Sequence, residues 1–219
     1  MTVYSIFGQA NGPATLQANT SQFNLAMEFE VSTELEVTGV WWLSAATAAT
    51  LPTDTGIWTI TGVGTGTQLL HHSAPSWSGA AGSGWVKDTY DGTVHVLPGT
   101  KYLVAVAGGG TGNWFTEDNL AGAFWNSGIT NGPLSAPSSA TASSGQDPFF
   151  ASGLWTFPPN APANGFNFYV DVEVTTLPTP PTGPATVLFP QMTDSRFTPN
   201  TSWRQLGYAM SGGMRWYPA

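Results

Sequence analysis

The sequence predicts an all-β protein, an antiparallel β-sandwich of jelly-roll type that carries an extended C-terminal arm. Three observations predict it. Apolar and polar residues alternate with a period of two in Leu25–Val31 and Phe166–Val174, the pattern of a strand with one buried and one wet face. With 41% hydrophobic and 13% aromatic residues against 8% charged, the 219-residue chain is apolar enough to bury a full core. Its 26 glycines and 17 prolines cut the chain into short segments, and a helical period is confined to one short stretch, Asn200–Met210.

Taken in order, residues 1–22 form an N-terminal segment ahead of a sandwich domain spanning 23–177. In Leu25-Ala26-Met27-Glu28-Phe29-Glu30-Val31 the large apolar side chains share one face and the glutamates the other. Val37–Leu43, Gly56–Ile60, Gln68–His71, Trp85–Tyr90, Thr93–Leu97 and Tyr102–Ala107 follow, β-branched or aromatic in bias and separated by turn residues. Asp91-Gly92 reads as a two-residue type I′ hairpin and Pro98-Gly99 as a type II turn. Residues 108–153 read as a long loop, a lid or contact segment rich in aromatics and then in Ser, Ala and Thr. Phe166–Val174 returns to the strand pattern. Pro178–Pro184 is a stiff proline-rich linker, and 185–219 an arm too short to fold alone, which must dock on something.

Charge excludes some partners. The net charge is −8, and it is uneven: residues 1–177 hold two lysines against twelve acids, whereas 178–219 hold three arginines against Asp194. An acidic domain repels phosphate backbones and anionic headgroups, so neither nucleic-acid binding nor membrane insertion is expected. No uncharged stretch reaches the roughly 20 consecutive apolar residues that a spanning helix needs. Met1 is followed by no basic and apolar leader, so export by that route is not expected. Zero cysteines leave the redox compartment open.

Catalytic patterns are sparse. His71 and His72 are strand neighbours and face opposite sides, so they cannot share a metal; His95, between Val94 and Val96, is a solvated strand histidine. Glu28 with Glu30, and Asp171 with Glu173, each share a face and read as solvated pairs, not as the two acids of a glycosidase. Glu117-Asp118-Asn119 lacks the Asp-x-Asp-x-Asp-Gly pattern of a calcium loop. The glycine clusters at Gly62–Gly66 and Gly108–Gly110 open no helix and read as turns. The expectation is no enzyme, no metal and no cofactor. Ten tryptophans are the stronger lead. Trp58, Trp85 and Trp155 are expected to fill the core, while Trp41-Trp42 must set one ring outward. Trp42, Trp114, Phe115 and Trp125 are therefore candidate glycan-stacking rings.

The series Phe29-x-Val31, Val37-Thr38-Gly39-Val40-Trp41-Trp42, Gly56-x-Trp58, Gly84-Trp85 and Val94-x-Val96-x-Pro98-Gly99-x-x-Tyr102-x-Val104 resembles a β-sandwich domain-of-unknown-function family. That family occurs in secreted actinobacterial proteins and in actinobacteriophage tail and virion proteins. The likeness runs from about Phe23 to Val174. Where the family's strand continues Arg-Phe-Tyr, this chain has Trp41-Trp42, so no arginine role carries over. The resemblance, with the leaderless start and the basic-aromatic arm, implies a virion structural protein, a minor tail protein ahead of a head decoration protein. The alternative is a carbohydrate-binding module for host surface glycan. Phe189, Arg196, Phe197, Trp203, Arg204, Tyr208, Arg215, Trp216 and Tyr217 are the expected docking residues toward other virion proteins, and a homo-oligomer is expected.

Overall fold

A computed structural model of the chain describes residues 1–9, 17–109, 112, 114–117, 127–143, 148–153, 155–160, 167–178, 203–204 and 217–218. The chain divides into two compact units, Met1–Pro178 and Thr179–Ala219. Among the described residues no helix is long and apolar enough to cross a membrane.

The first unit is an antiparallel sandwich. Its four-stranded sheet runs β1 (Val3–Ser5), β13 (Val170–Thr176), β4 (Leu35–Ser44), β7 (Gly84–Val96). The facing sheet runs β10 (Ile129–Asn131), β11 (Leu134–Ala136), β3 (Phe23–Val31), β8 (Tyr102–Gly108), β5 (Asp54–Gly62), β6 (Thr65–His72), with β12 (Phe149–Ser152) also on β3. A small pair, β2 (Gln17–Asn19) with β9 (Phe115–Glu117), forms a two-stranded sheet of its own. Val3–Ser5, within the N-terminal segment, pairs with β13 and so belongs to a sheet. In the second unit β14 (Trp203–Arg204) pairs with β15 (Tyr217–Pro218), so a helix over Asn200–Met210 does not form at its described residues. The rest of the arm lies outside the described residues.

Alternation builds the core. Leu25, Met27 and Phe29 of β3, Val104 and Val106 of β8, and Ile57 of β5 face Val37, Val40 and Trp42 of β4, Val86 of β7 and Val170, Val172 and Val174 of β13. Each large buried side chain contributes about 1.5–3 kcal/mol of burial free energy. The opposite face of β3 and β8 carries a second cluster, Ala26, Trp58, Leu103, Ala105 and Phe149, on which Trp155 and Phe157 pack.

Four expectations need correction. The Asp91-Gly92 pair makes no hairpin, because β7 passes straight through it with β4 as neighbour on both sides. Between Val37↔Val94 and Gly39↔Thr89 the two strands fall out of step, and residues 90–93 bulge from the edge. The turn signal is real, but the flanking segments pair with β4 and not with each other. The Pro98-Gly99 turn does form, with Gly99 at φ 77°.

Nor is 108–153 a plain loop. β10, β11 and β12 lie in it and extend the larger sheet, so it returns to cover the outer face of β3. Glu28 is accordingly buried, not solvated; Lys101 Nζ lies 2.9 Å from its Oε1, and Ser143 donates from its N–H (2.8 Å) and hydroxyl (3.1 Å). Glu30 stays partly exposed, 3.5 Å from Lys101 Nζ. Asp171 and Glu173 are buried too, Asp171 because residues 5–9 strap across it. The Asp171 carboxylate accepts the N–H groups of Ile6 and Phe7, both at 2.8 Å. Glu173 pairs with Lys87 and accepts from Trp41 Nε1 (3.0 Å) and the Thr38 hydroxyl (2.7 Å).

Candidate functional site

The rings expected to stack on glycan are mostly inside. Trp42 is fully buried and stacks on fully buried Trp114, centroids 5.8 Å apart. Trp114 Nε1 donates to the Ser21 carbonyl at 2.8 Å, and Phe115 meets Phe23 edge to face. After β8 the chain folds back and plugs these rings between the sheets, so a contact surface built from Trp42, Trp114 and Phe115 is overturned. Trp125 lies outside the described residues. Of the docking residues, Trp203, Arg204 and Tyr217 lie in the β14–β15 pair; Phe189, Arg196, Phe197, Tyr208, Arg215 and Trp216 lie outside the described residues. Trp41 is the outward member of its pair, half-buried, with Lys87 Nζ 5.9 Å above its ring. Trp58 is buried as expected, whereas Trp85 and Trp155 are only partly so.

A different site emerges where β5, β6 and β7 meet. On β7, Val86, Asp88 and Tyr90 share the inward face, which sets a carboxylate among core residues. Asp88 is fully buried, and such a charge is tolerable only when its acceptor sites are filled. They are: Thr55 of β5 donates its hydroxyl at 2.6 Å, the Ser76 N–H donates at 3.0 Å, and His72 Nδ1 of β6 lies at 2.9 Å. Tyr90 donates its hydroxyl to Thr55 Oγ1 at 2.9 Å, so the network links the two sheets. Burial pushes the Tyr90 phenol well above its ordinary pKa, against the Thr55 hydrogen bond and aided by the charge of Asp88.

His71, the next residue, points the other way. Its Nε2 meets Asp54 Oδ1 at 2.7 Å, and its ring stacks on Trp155 at 4.1 Å, nearly parallel. Trp155 holds the left-handed φ of 46°, unusual for so bulky a residue, and donates Nε1 to Gln68 Oε1 at 2.7 Å. Gly56 leaves the room for it: a Cβ there would come 2.6 Å from the indole. His95 is an exposed strand histidine as expected, 3.0 Å from Glu34.

Leu70, His71, His72, Thr89, Tyr90 and Asp91 line a cleft of about 240 Å³. From the sequence the two histidines are expected to be incidental, and Asp88 is no candidate. The signal was present as parity, since an acid two residues from Val86 and two from Tyr90 must share their inward face. Two carboxyls away from the cleft are perturbed. Burial pushes Asp171 up to about 7, despite N–H donation from Phe7, Ile6 and Val172, and Glu173 nearby adds to the rise. Burial would also raise Glu173, but hydrogen bonds from Lys87, Thr38 and Trp41 outweigh it and hold that carboxyl below its ordinary value. Among the described residues no three His, Asp or Glu side chains gather as a metal site. The side chains of Glu117, Asp118 and Asn119 lie outside the described residues.

A family model described as Domain of unknown function (DUF4082) matches residues 10–170. No curated protein matches the chain, and no solved structure matches it.

Proposed function

From the premise that the chain belongs to the family described as Domain of unknown function (DUF4082), whose description assigns no activity, we propose that this protein is a non-catalytic structural module of a bacteriophage virion. In this reading it is a minor tail protein, its acidic sandwich is displayed, and the arm 185–219 grips neighbouring subunits. The observation that carries it is the division at Pro178: a compact sandwich precedes it, and a separate unit with all three arginines and six of the aromatics follows. An acidic body joined by a proline-rich linker to a basic-aromatic segment suits display at one end and anchorage at the other.

The buried acids support the non-catalytic part. Glu28, Asp88, Asp171 and Glu173 spend their acceptor capacity on bonds that hold strands, straps and sheets together. The Asp88–His72 couple has the form of an acid–base pair, but the chain has no cysteine, and among the described residues Thr89 is the one hydroxyl-bearing residue besides Tyr90 lining the cleft.

Particles assembled with a chain ending at Pro178, compared with the full chain by quantitative mass spectrometry, test the proposal. The truncated chain is expected to fold and stay in solution while particles lack it; normal incorporation refutes the anchoring role. Immunogold labelling distinguishes tail from head, and label on the capsid replaces the tail assignment by head decoration. Symmetric sets are usual in such assemblies. The full chain is therefore expected to scatter light as an oligomer that the truncation reduces to a monomer.

A further inference from the structure

We propose that the cleft beside His72 is a binding site for a neutral hydroxylated ring, a hexose unit of a glycan, held through its hydroxyls by His72 Nε2 and the Asp91 carboxylate. The inference stands apart from any place on a particle. It rests on four features of the cleft.

The first is a fixed acceptor. Asp88, a carboxylate that only accepts hydrogen bonds, requires His72 Nδ1 to be the donor, so in the neutral imidazole Nε2 presents a lone pair. Because Asp88 is buried and the His72 side chain is about a third exposed, that opposite ring edge is the one turned to the opening. Asp88 is itself pinned by Thr55 and Ser76, so a ligand need not pay to order the ring.

The second is charge. Asp91 is exposed at the lip and Asp88 stands behind His72, while among the described residues no lysine or arginine lines the cleft. Anions are repelled. The third is the wall, where Leu70 and the ring of Tyr90 offer apolar area for the C–H face of a sugar. The fourth is rigidity. On the opposite face of β6 the His71 ring is clamped between its bond to Asp54 and the parallel indole of Trp155, which holds in place the strand that carries His72.

The test uses the full chain with ring-labelled histidine and a panel of methyl glycosides of glucose, galactose, mannose and N-acetylglucosamine. Glucuronate and methylammonium serve as charged controls. Saturation-transfer NMR reads binding, and the His72 ring resonances read its place. At least one neutral glycoside is expected to bind and shift the His72 ring more than that of His95, while glucuronate does not. His72→Gln and Asp91→Asn are each expected to weaken binding roughly five- to tenfold, the loss of one good hydrogen bond. Asp91→Asn changes an exposed side chain and tests the site even if His72→Gln disturbs the Asp88 network. No transfer to any of the neutral glycosides overturns the proposal. So does binding that neither variant weakens, and so does a response to methylammonium alone, which would make the cleft a cation site.

Discussion

Replacing Asp171 by asparagine separates the electrostatics of the N-terminal strap from its packing. The carboxyl has a native pKa of about 7 against an ordinary value of 3.8. Between those values the folded state holds the proton more tightly than the unfolded chain, so this group adds stability as pH falls from about 7 toward 4 and withdraws it as pH rises again. A displacement of about 3 units corresponds to about 4 kcal/mol across the window, an order-of-magnitude figure. Asparagine cannot titrate. Urea denaturation of both proteins at steps from about pH 8 to about pH 4 gives the stability difference, wild type minus variant, in which other titrating groups largely cancel. That difference is expected to grow in favour of the wild type on acidification, by several kcal/mol. A difference that stays flat, or that shrinks as the solution becomes acid, would refute the claim that the strap buries a reluctant carboxylate.

Other outcomes follow from the same contacts. Trp42→Ala should cost about 3–5 kcal/mol in urea unfolding, because it empties a fully buried site and strips Trp114 of its stacking partner. Lys101→Met should destabilise by about 2 kcal/mol, since buried Glu28 loses its cation but keeps the two Ser143 donors; adding Glu28→Gln should recover part of that loss. Gly56→Ala should lower the melting temperature and shift tryptophan emission to the red, because the new methyl group displaces Trp155. Lys87→Met should weaken stability at neutral pH and lose that effect in acid. The Glu173 carboxyl it supports lies below its ordinary pKa, a contribution present above the unfolded value and lost as pH falls through the folded one.

Most strands of the sandwich were legible because alternation reports one buried face directly. β3, β4, β5, β6 and β8 lie where the pattern placed them; β13 starts late, because Tyr169 just before it takes a φ of 54°. Alternation is silent where a second layer covers the other face. Glu28 and Asp171 look solvated in a one-dimensional reading, and only the approach of Lys101 and Ser143 to the one and of residues 5–9 to the other reveals that they are dry. β10 to β12 were hidden for another reason: a ladder is made of backbone bonds, and strands of three or four residues are too short to show a hydrophobic period. At the cleft, strand parity revealed the inward face of Asp88 but not its partners, which come from Thr55, His72 and Ser76 on three separate segments.

The first strand has a consequence for how tension would travel. Thr2 and Thr176 are joined by two backbone-anchored hydrogen bonds, so the chain enters the sandwich beside the point where β13 leaves it for Pro178. β13 is no margin of its sheet; it lies between β1 and β4, paired along its whole length with the latter. A pull transmitted from beyond Pro178 therefore drags lengthwise on a strand clasped from both sides, and several ladder bonds must shear together before the body yields. A tether on a rim strand would instead peel away one bond at a time.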